Sequence, residues 1–374
     1  MKKNSETIKP GYKMTSLGVI PKDWEVKEFE ELVKKRNTKF DPNKSMKTHK
    51  CIELEHISQG TGSLIDHTDS KLKKSIKNVF NTGDVLFGKL RPYLRKYWLA
   101  EFDGVCSSEL WVLQSKDSIC SNDFLFYLIQ SNRFIQGANV TSGSKMPRAD
   151  WDYVSTFPFL IPPPSEQKAI AKVLSTWDEA IEKTTRLIKQ KELRKKALMQ
   201  QLLTGKKRLK GFSGEWKEVS LRDVVDIRKG DQLSIINMIP DGEYYVMNGG
   251  IESSGFTNSW NTPENTITIS EGGNSCGFVK YHTKKFWSGG HCYTLSRTEF
   301  KINYLFLFQT LKYQQLKIMK LRVGSGLPNI QMPSIKKIKV KLPELKEQEF
   351  IANLLTDADD EIELEKQKLE QLRL

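Results

Sequence analysis

No stretch of this chain approaches the ~18 consecutive apolar residues of a membrane span. The opening MKKNSETIKPGYKMTS is basic but lacks the apolar core of a secretion signal, so the expected location is cytoplasmic. Cysteine is scarce. Cys51, Cys106, Cys120, Cys276 and Cys292 are odd in number, widely spaced and contain no C-x-x-C pair. That excludes a disulfide framework and a zinc ribbon and predicts reduced, mostly buried thiols. Histidine is equally sparse. His49, Cys51, His56 and His67 lie close in sequence, yet on a strand His49 and Cys51 share one face while His56 takes the other. His282, His291 and Cys292 lack a second pair of ligands. The expectation is that the chain binds no metal.

Catalytic signatures are missing as well. Gly83-Asp-Val-Leu-Phe-Gly88-Lys89 follows a P-loop until Leu90 replaces the magnesium-binding Ser or Thr, and Asp84–Phe87 reads as a strand. An amino-methyltransferase needs Asn/Asp-Pro-Pro-aromatic, whereas Pro162-Pro163 stands between Ile161 and Pro164. Glu215-Trp-Lys217 and Glu299-Phe-Lys301 could end a nuclease motif, but the only Pro-Asp, Pro240-Asp241, is badly placed for either. No active site emerges, and the chain is expected to be non-catalytic.

What is present is positive charge and repetition. The 374 residues, 38% apolar and 28% charged, suffice for two globular domains. The net charge of +14 suits a polyanion, because cations placed on phosphates release counterions, although any basic soluble protein shows such a surplus. Gly143-Ser144-x-x-Pro147 returns as Gly324-Ser325-x-x-Pro328, and Glu166-Gln167-x-x-Ile170-Ala171 returns as Glu347-Gln348-x-x-Ile351-Ala352. Both shifts are 181 residues (324 minus 143; 347 minus 166). Upstream, Trp24 and Phe29–Val33 resemble Trp216 and Leu221–Val225 at a shift of 192, so the first copy is longer by 11 (192 minus 181). The frames match and the middles differ.

Each copy ends in a helix. After Pro162-Pro163-Pro164, Ser165 is a good N-cap, and Ile170, Leu174, Trp177, Ile181, Thr184 and Ile188 follow at alternating spacings of 4 and 3. The second copy repeats this with Ile351, Leu355, Ala358, Ile362, Glu365 and Leu369. The first helix should run from Ser165 to Leu203, with Gly205 beyond its end. Residues 166–208 hold twelve basic and five acidic side chains, residues 344–374 four and ten, so the helices should pair with each other. At the 181-residue shift Leu374 corresponds to Leu193, which leaves the second helix a short form.

The reading is an α+β protein with two globular domains separated by two long antiparallel coiled-coil helices, a pseudo-twofold internal repeat. The boundaries are 1–160 for the first globular domain, 161–210 for the first helix and linker, 211–341 for the second domain and 342–374 for the second helix. Strands are expected at Cys51–Ile57, Asp84–Phe87, Leu110–Leu113, Thr266–Ile269, Gly277–Tyr281 and Tyr293–Leu295, and helices at Asp123–Gln136 and Tyr304–Met319. In Lys89-Leu-Arg91-Pro-Tyr93-Leu-Arg95-Lys96 basic and aromatic residues interleave, as a DNA-facing segment would, although a solvated loop fits equally. Asn248-Gly-Gly, Gly272-Gly-Asn274-Ser275 and Lys284-Lys285 are polar loops where backbone could approach a phosphate.

Together these features resemble the DNA specificity subunit of a type I restriction-modification system. The resemblance covers essentially the whole chain. It rests on Gly18-Val-Ile-Pro21-x-x-Trp24, Gly83-Asp-Val-Leu-Phe, Lys89–Leu94, Cys106-Ser-Ser-Glu109, Gly143-Ser144, Ile161-Pro-Pro-Pro, Glu166-Gln167-x-x-Ile170 and Gln200-Gln-Leu-Leu-Thr-Gly205. It implies that each middle reads one half of a split, asymmetric double-stranded DNA target. It also implies that the antiparallel helices fix the gap between half-sites. Two adenine-methyltransferase subunits would supply S-adenosylmethionine, and two restriction subunits would supply ATP- and magnesium-dependent translocation and cleavage. No cofactor is expected in this chain, and no membrane.

Overall fold

The computed structural model describes residues 8–116, 119–142, 146–297, 302–324, 326 and 328–373. Gly143, Ser144, Ser325, Glu299 and Lys301 lie outside these. The chain divides into two units, Met1–Glu179 and Ala180–Leu374.

The first unit is built on four antiparallel strands: β1 (Val33–Lys35), β2 (Val85–Gly88), β3 (Tyr97–Leu99) and β4 (Leu110–Ser115), in the order β3-β2-β4-β1. Val85–Gly88 is buried at every position because the sheet is covered on both faces. Val85, Phe87, Trp111 and Leu113 face helices α1 (Asn122–Leu128) and α2 (Asn132–Ala138), while Leu86, Leu110 and Val112 meet Ile52, Phe80 and Trp98. The expected single helix over 123–136 is therefore two. Ser121 and Ser131 each accept from the N–H three residues on, and the second cap restarts the helix. The expected strand over 51–57 is also shorter, Lys50–Ile52 followed by a 3-10 turn at Leu54–His56.

The second unit repeats this plan. Its sheet comprises β5 (Val225–Lys229), β6 (Thr266–Ser270), β7 (Val279–His282) and β8 (Cys292–Arg297), ordered β7-β6-β8-β5. Leu110 faces Gly88 in the first sheet, and Cys292 faces Ser270 in the second, a shift of 182 on both strands (292 minus 110; 270 minus 88). Here one helix, α4 (Tyr304–Met319), covers the sheet without a break. A ribbon closes each unit. Ile161 pairs with Glu25, and Leu342 pairs with Lys217.

The ribbons lead into the long helices α3 (Pro164–Leu202) and α5 (Leu345–Arg373). Helix α3 begins at Pro164, one residue before the expected cap, because proline at the first helical position has its φ preset and no N–H to satisfy. Gln167 and Gln348 are buried at equivalent turns. Each donates to a proline carbonyl (Pro162, Pro343; 2.9 Å in both) and accepts from the cap residue of the domain helix (Ser121 at 3.1 Å, Asn303 at 2.9 Å). These buried amides rivet each long helix to its own domain.

Within the second unit, the later part of α3 packs antiparallel on α5. Lys191 meets Glu361 at 2.7 Å, Glu192 meets Lys366 at 2.9 Å, and Lys195 pairs with Asp359. Ile188, Ile351, Leu355, Ile362 and Leu369 are buried, with Ile181 and Ala358 partly covered. The first three seam residues sit elsewhere. Ile170 packs into the core of the first unit, while Leu174 and Trp177 are 39% and 52% exposed. No helix of the described residues is long and apolar enough to cross a membrane.

Candidate nucleic-acid interface

One loop joins β2 to β3 (residues 89–96) and another joins β6 to β7 (residues 271–278). They are the same loop. At a shift of 182, Arg91 corresponds to Gly273 and Arg95 to Gly277. All four have a left-handed backbone, with φ of 52° and 70° at the first position and 48° and 85° at the second. Each loop makes one 3-10 turn, Pro92–Leu94 or Gly273–Ser275. Each is clamped by the segment that carries the repeated proline. The Arg91 N–H donates to the Pro147 carbonyl (2.8 Å) and Gly273 to Pro328 (3.0 Å); Ala149 donates to Lys89 and Ile330 to Glu271 (2.8 Å each). The repeated motif thus holds a loop in the same place in each domain, although Arg95 donates to Pro92 and Gly277 to Ser270.

The side chains on the two loops differ. Arg91 and Tyr93 are exposed and Lys89 is half-buried. Arg95 donates to Asn132 Oδ1 (2.8 Å), and Lys96 Nζ turns inward to the Leu54 carbonyl (2.6 Å). In the second loop Asn274 is exposed, whereas Ser275 donates to the Gly249 carbonyl (2.5 Å), as does Ser270. Asn248 accepts from the His291 N–H (3.2 Å). Lys96 and Ser275 therefore brace their loops. Lys284 and Lys285 follow β7 at the end of the sheet opposite to Asn274, with Lys285 4.5 Å over the Trp260 ring.

Charge separates the loops further. Lys89, Arg91, Arg95 and Lys96 make the first cationic. At the position of Lys89 the second has Glu271, held by Lys229 (2.7 Å), Tyr293 (2.9 Å) and His291 (3.3 Å). Burial pushes that carboxyl up, but these contacts outweigh it and leave Glu271 below its ordinary range. The arginines can grip a guanine edge or a phosphate, whereas the glycine-rich loop offers backbone and a carboxamide.

The five cysteines are buried and free, and burial pushes the thiols up. Among the described residues no group of three or more His, Cys, Asp or Glu side chains is placed to hold a metal.

The sequence matches the family described as type I restriction modification DNA specificity domain twice, over residues 21–192 and 213–374. The chain belongs to that family. It is similar to a putative type I specificity subunit of Mycoplasma pneumoniae, 35% identical over 153 residues, a match covering 40% of each chain. It is also similar to the specificity subunit of the type I restriction enzyme MjaVIII of Methanocaldococcus jannaschii, 24% identical over 411 residues, covering 94% of this chain and 90% of that one. The crystal structure of a type I restriction-modification S subunit from M. genitalium has the same fold (TM-score 0.70, 18% identity, 94% of this chain and 93% of that one).

Within each specificity domain, one residue beside the loop escaped the sequence reading. Arg148 bonds Glu109 through two nitrogens (3.0 and 3.1 Å) and pairs with Leu90, and Asn329 pairs with Gly272 in the same way. Both follow the proline of the repeated motif, the one signal that marked the position.

Proposed function

We propose that this chain is the DNA-reading subunit of a type I restriction-modification complex, with each specificity domain reading one half of a split, asymmetric target. The observation that carries this is the pair of equivalent loops, alike in their two left-handed positions and in their clamp but different in side chains. A common scaffold that varies only in its projecting groups is how a duplicated protein would read two different sequences. The positive charge supports a polyanion partner. Helices α3 and α5 would set the gap between half-sites. Methyltransferase subunits would bring S-adenosylmethionine, restriction subunits would bring ATP and magnesium, and this chain would be non-catalytic and cytoplasmic.

The test is to exchange residues 1–160 for the corresponding domain of another family member and to map methylated sites genome-wide in cells carrying the partner methyltransferase. One half-site should change, while the other half and the gap stay as they were. Change in both halves, or in neither, would overturn the assignment of one domain to each half.

A further inference from the structure

We infer that the turn Gln59–Ser63 is a second reading element of the first unit, in which Gln59 and Thr61 meet base edges beside those taken by the loop 89–96. The inference rests on the DNA-reading role and extends it to side chains outside that loop. The turn closes a hairpin. Ile57 pairs with Leu64, and the Ser58 N–H donates to the Ser63 carbonyl (3.0 Å). Gly60 and Gly62 take left-handed backbones of φ 71° and 68°. Gly62 is seated on Phe126, where a Cβ would come within 2.7 Å of the ring.

The hairpin is bonded to the arginine loop. The Gly60 N–H donates to the Arg95 carbonyl (3.0 Å), and Gln59 pairs with Lys96. The Lys96 ammonium reaches back to the Leu54 carbonyl (2.6 Å), and Tyr97 Oη donates to the Gly60 carbonyl (2.9 Å). These bonds engage the backbone of the turn and fix it beside Arg91 and Arg95. The side chains of Gln59 and Thr61 stay exposed. Thr61 Oγ1 accepts a long bond from the Ser63 N–H (3.4 Å), which leaves its own proton to donate.

The second unit holds the equivalent turn in the same way but keeps it short. The Ser275 hydroxyl donates to the Gly249 carbonyl (2.5 Å) and Lys280 Nζ to the Ile251 carbonyl (3.0 Å). Val246 and its partner Gly255 are 9 residues apart, Cys51 and Thr68 are 17, so the first unit's turn is longer by eight (17 minus 9). Length added there places new polar side chains next to the arginines and leaves the core unchanged, as a specificity element requires. Their chemistry names the ligand. A lysine holds phosphate, whereas a neutral carboxamide reads a base edge and pairs bidentately with adenine. Gln59 accordingly selects an A·T pair in the first half-site, next to a base pair gripped by the loop.

The test uses the chain assembled with its methyltransferase subunits and duplexes in which each base pair of the methylated target is replaced in turn. Gln59→Ala should lower affinity for the parent target by about fivefold or more and lose discrimination at one A·T pair of the half-site that the first unit reads. Thr61→Ala should relax a neighbouring pair. The second half-site, the gap and the thermal melting of the chain should stay as they were. Equal loss of affinity for every sequence would make Gln59 a phosphate contact and overturn base reading by the turn. Unchanged affinity and preference in both variants would remove the turn from the interface, while the parent's split target still stood. A parent complex without a split methylated target would instead overturn the DNA-reading role itself, and this inference with it.

Discussion

Arg91 holds a backbone of φ 52° that glycine adopts freely, and glycine stands at the equivalent Gly273. An L-residue there costs roughly 1–2 kcal/mol. Arg91→Gly should therefore raise the stability of the first unit by up to about 1 kcal/mol in urea unfolding. In filter binding it should weaken DNA affinity by about 1–3 kcal/mol if the guanidinium grips a guanine. Unchanged affinity would remove the side chain from the interface. Gly277 is constrained the opposite way, since a Cβ there would lie 2.8 Å from the Met319 Cα. Gly277→Ala should destabilise the second unit by at least about 1–2 kcal/mol, and an unmoved urea midpoint would refute that clash. Arg95 is tolerated at the matching place, where the first unit's helix breaks and restarts with Asn132, its partner. The composition of these loops was legible in the sequence. Their equivalence was not, because no side chain is shared and the likeness lies in φ and backbone hydrogen bonds.

At the scale of elements, the alternating 4-3 spacing reads alike from Ile170 to Ile188, yet only part of it is buried against α5. Leu355→Ala should cost about 2–5 kcal/mol, as expected for a fully buried leucine. Leu174→Ala, on the exposed stretch, should change stability by no more than about 0.5 kcal/mol. Chemical denaturation of both variants would decide, and equal losses would place Leu174 in a buried seam. Periodicity reports which face of a helix is apolar. What covers that face depends on a second segment far away in sequence.

At the scale of the whole molecule, the two halves share a sheet order and ribbon register that their dissimilar middles conceal. Much of the first copy's surplus length lies in a smaller strand pair of each unit, Lys50–Ile52 with Thr68–Asp69 in the first and Tyr244–Met247 with Gly255–Thr257 in the second. From Cys51 to its partner Thr68 is 17 residues, whereas from Val246 to its partner Gly255 is 9. Acid should act on the halves differently. His282 is buried against Thr268 and Tyr245, and burial pushes it down from 6.5 to about 3. The unfolded chain binds that proton more readily, so this stability is complete above about pH 6.5 and is lost as pH falls towards 3, at up to about 1.4 kcal/mol per pH unit. Urea midpoints between pH 7 and pH 5 should drop for the parent and drop less for His282→Gln, and parallel slopes would count against the assignment.

By itself the sequence determined the duplication, the two long helices, their opposite charge and the lack of catalytic motifs. These are local or periodic properties, which spacing and composition carry directly. Tertiary structure decided which loops are equivalent, which cations brace the fold rather than project from it, and which half of the helical seam is covered. Those properties belong to pairs of distant segments. A hydrogen bond from Gly273 to Pro328, or a leucine left open for lack of a facing helix, leaves no mark on the residues nearby in the chain.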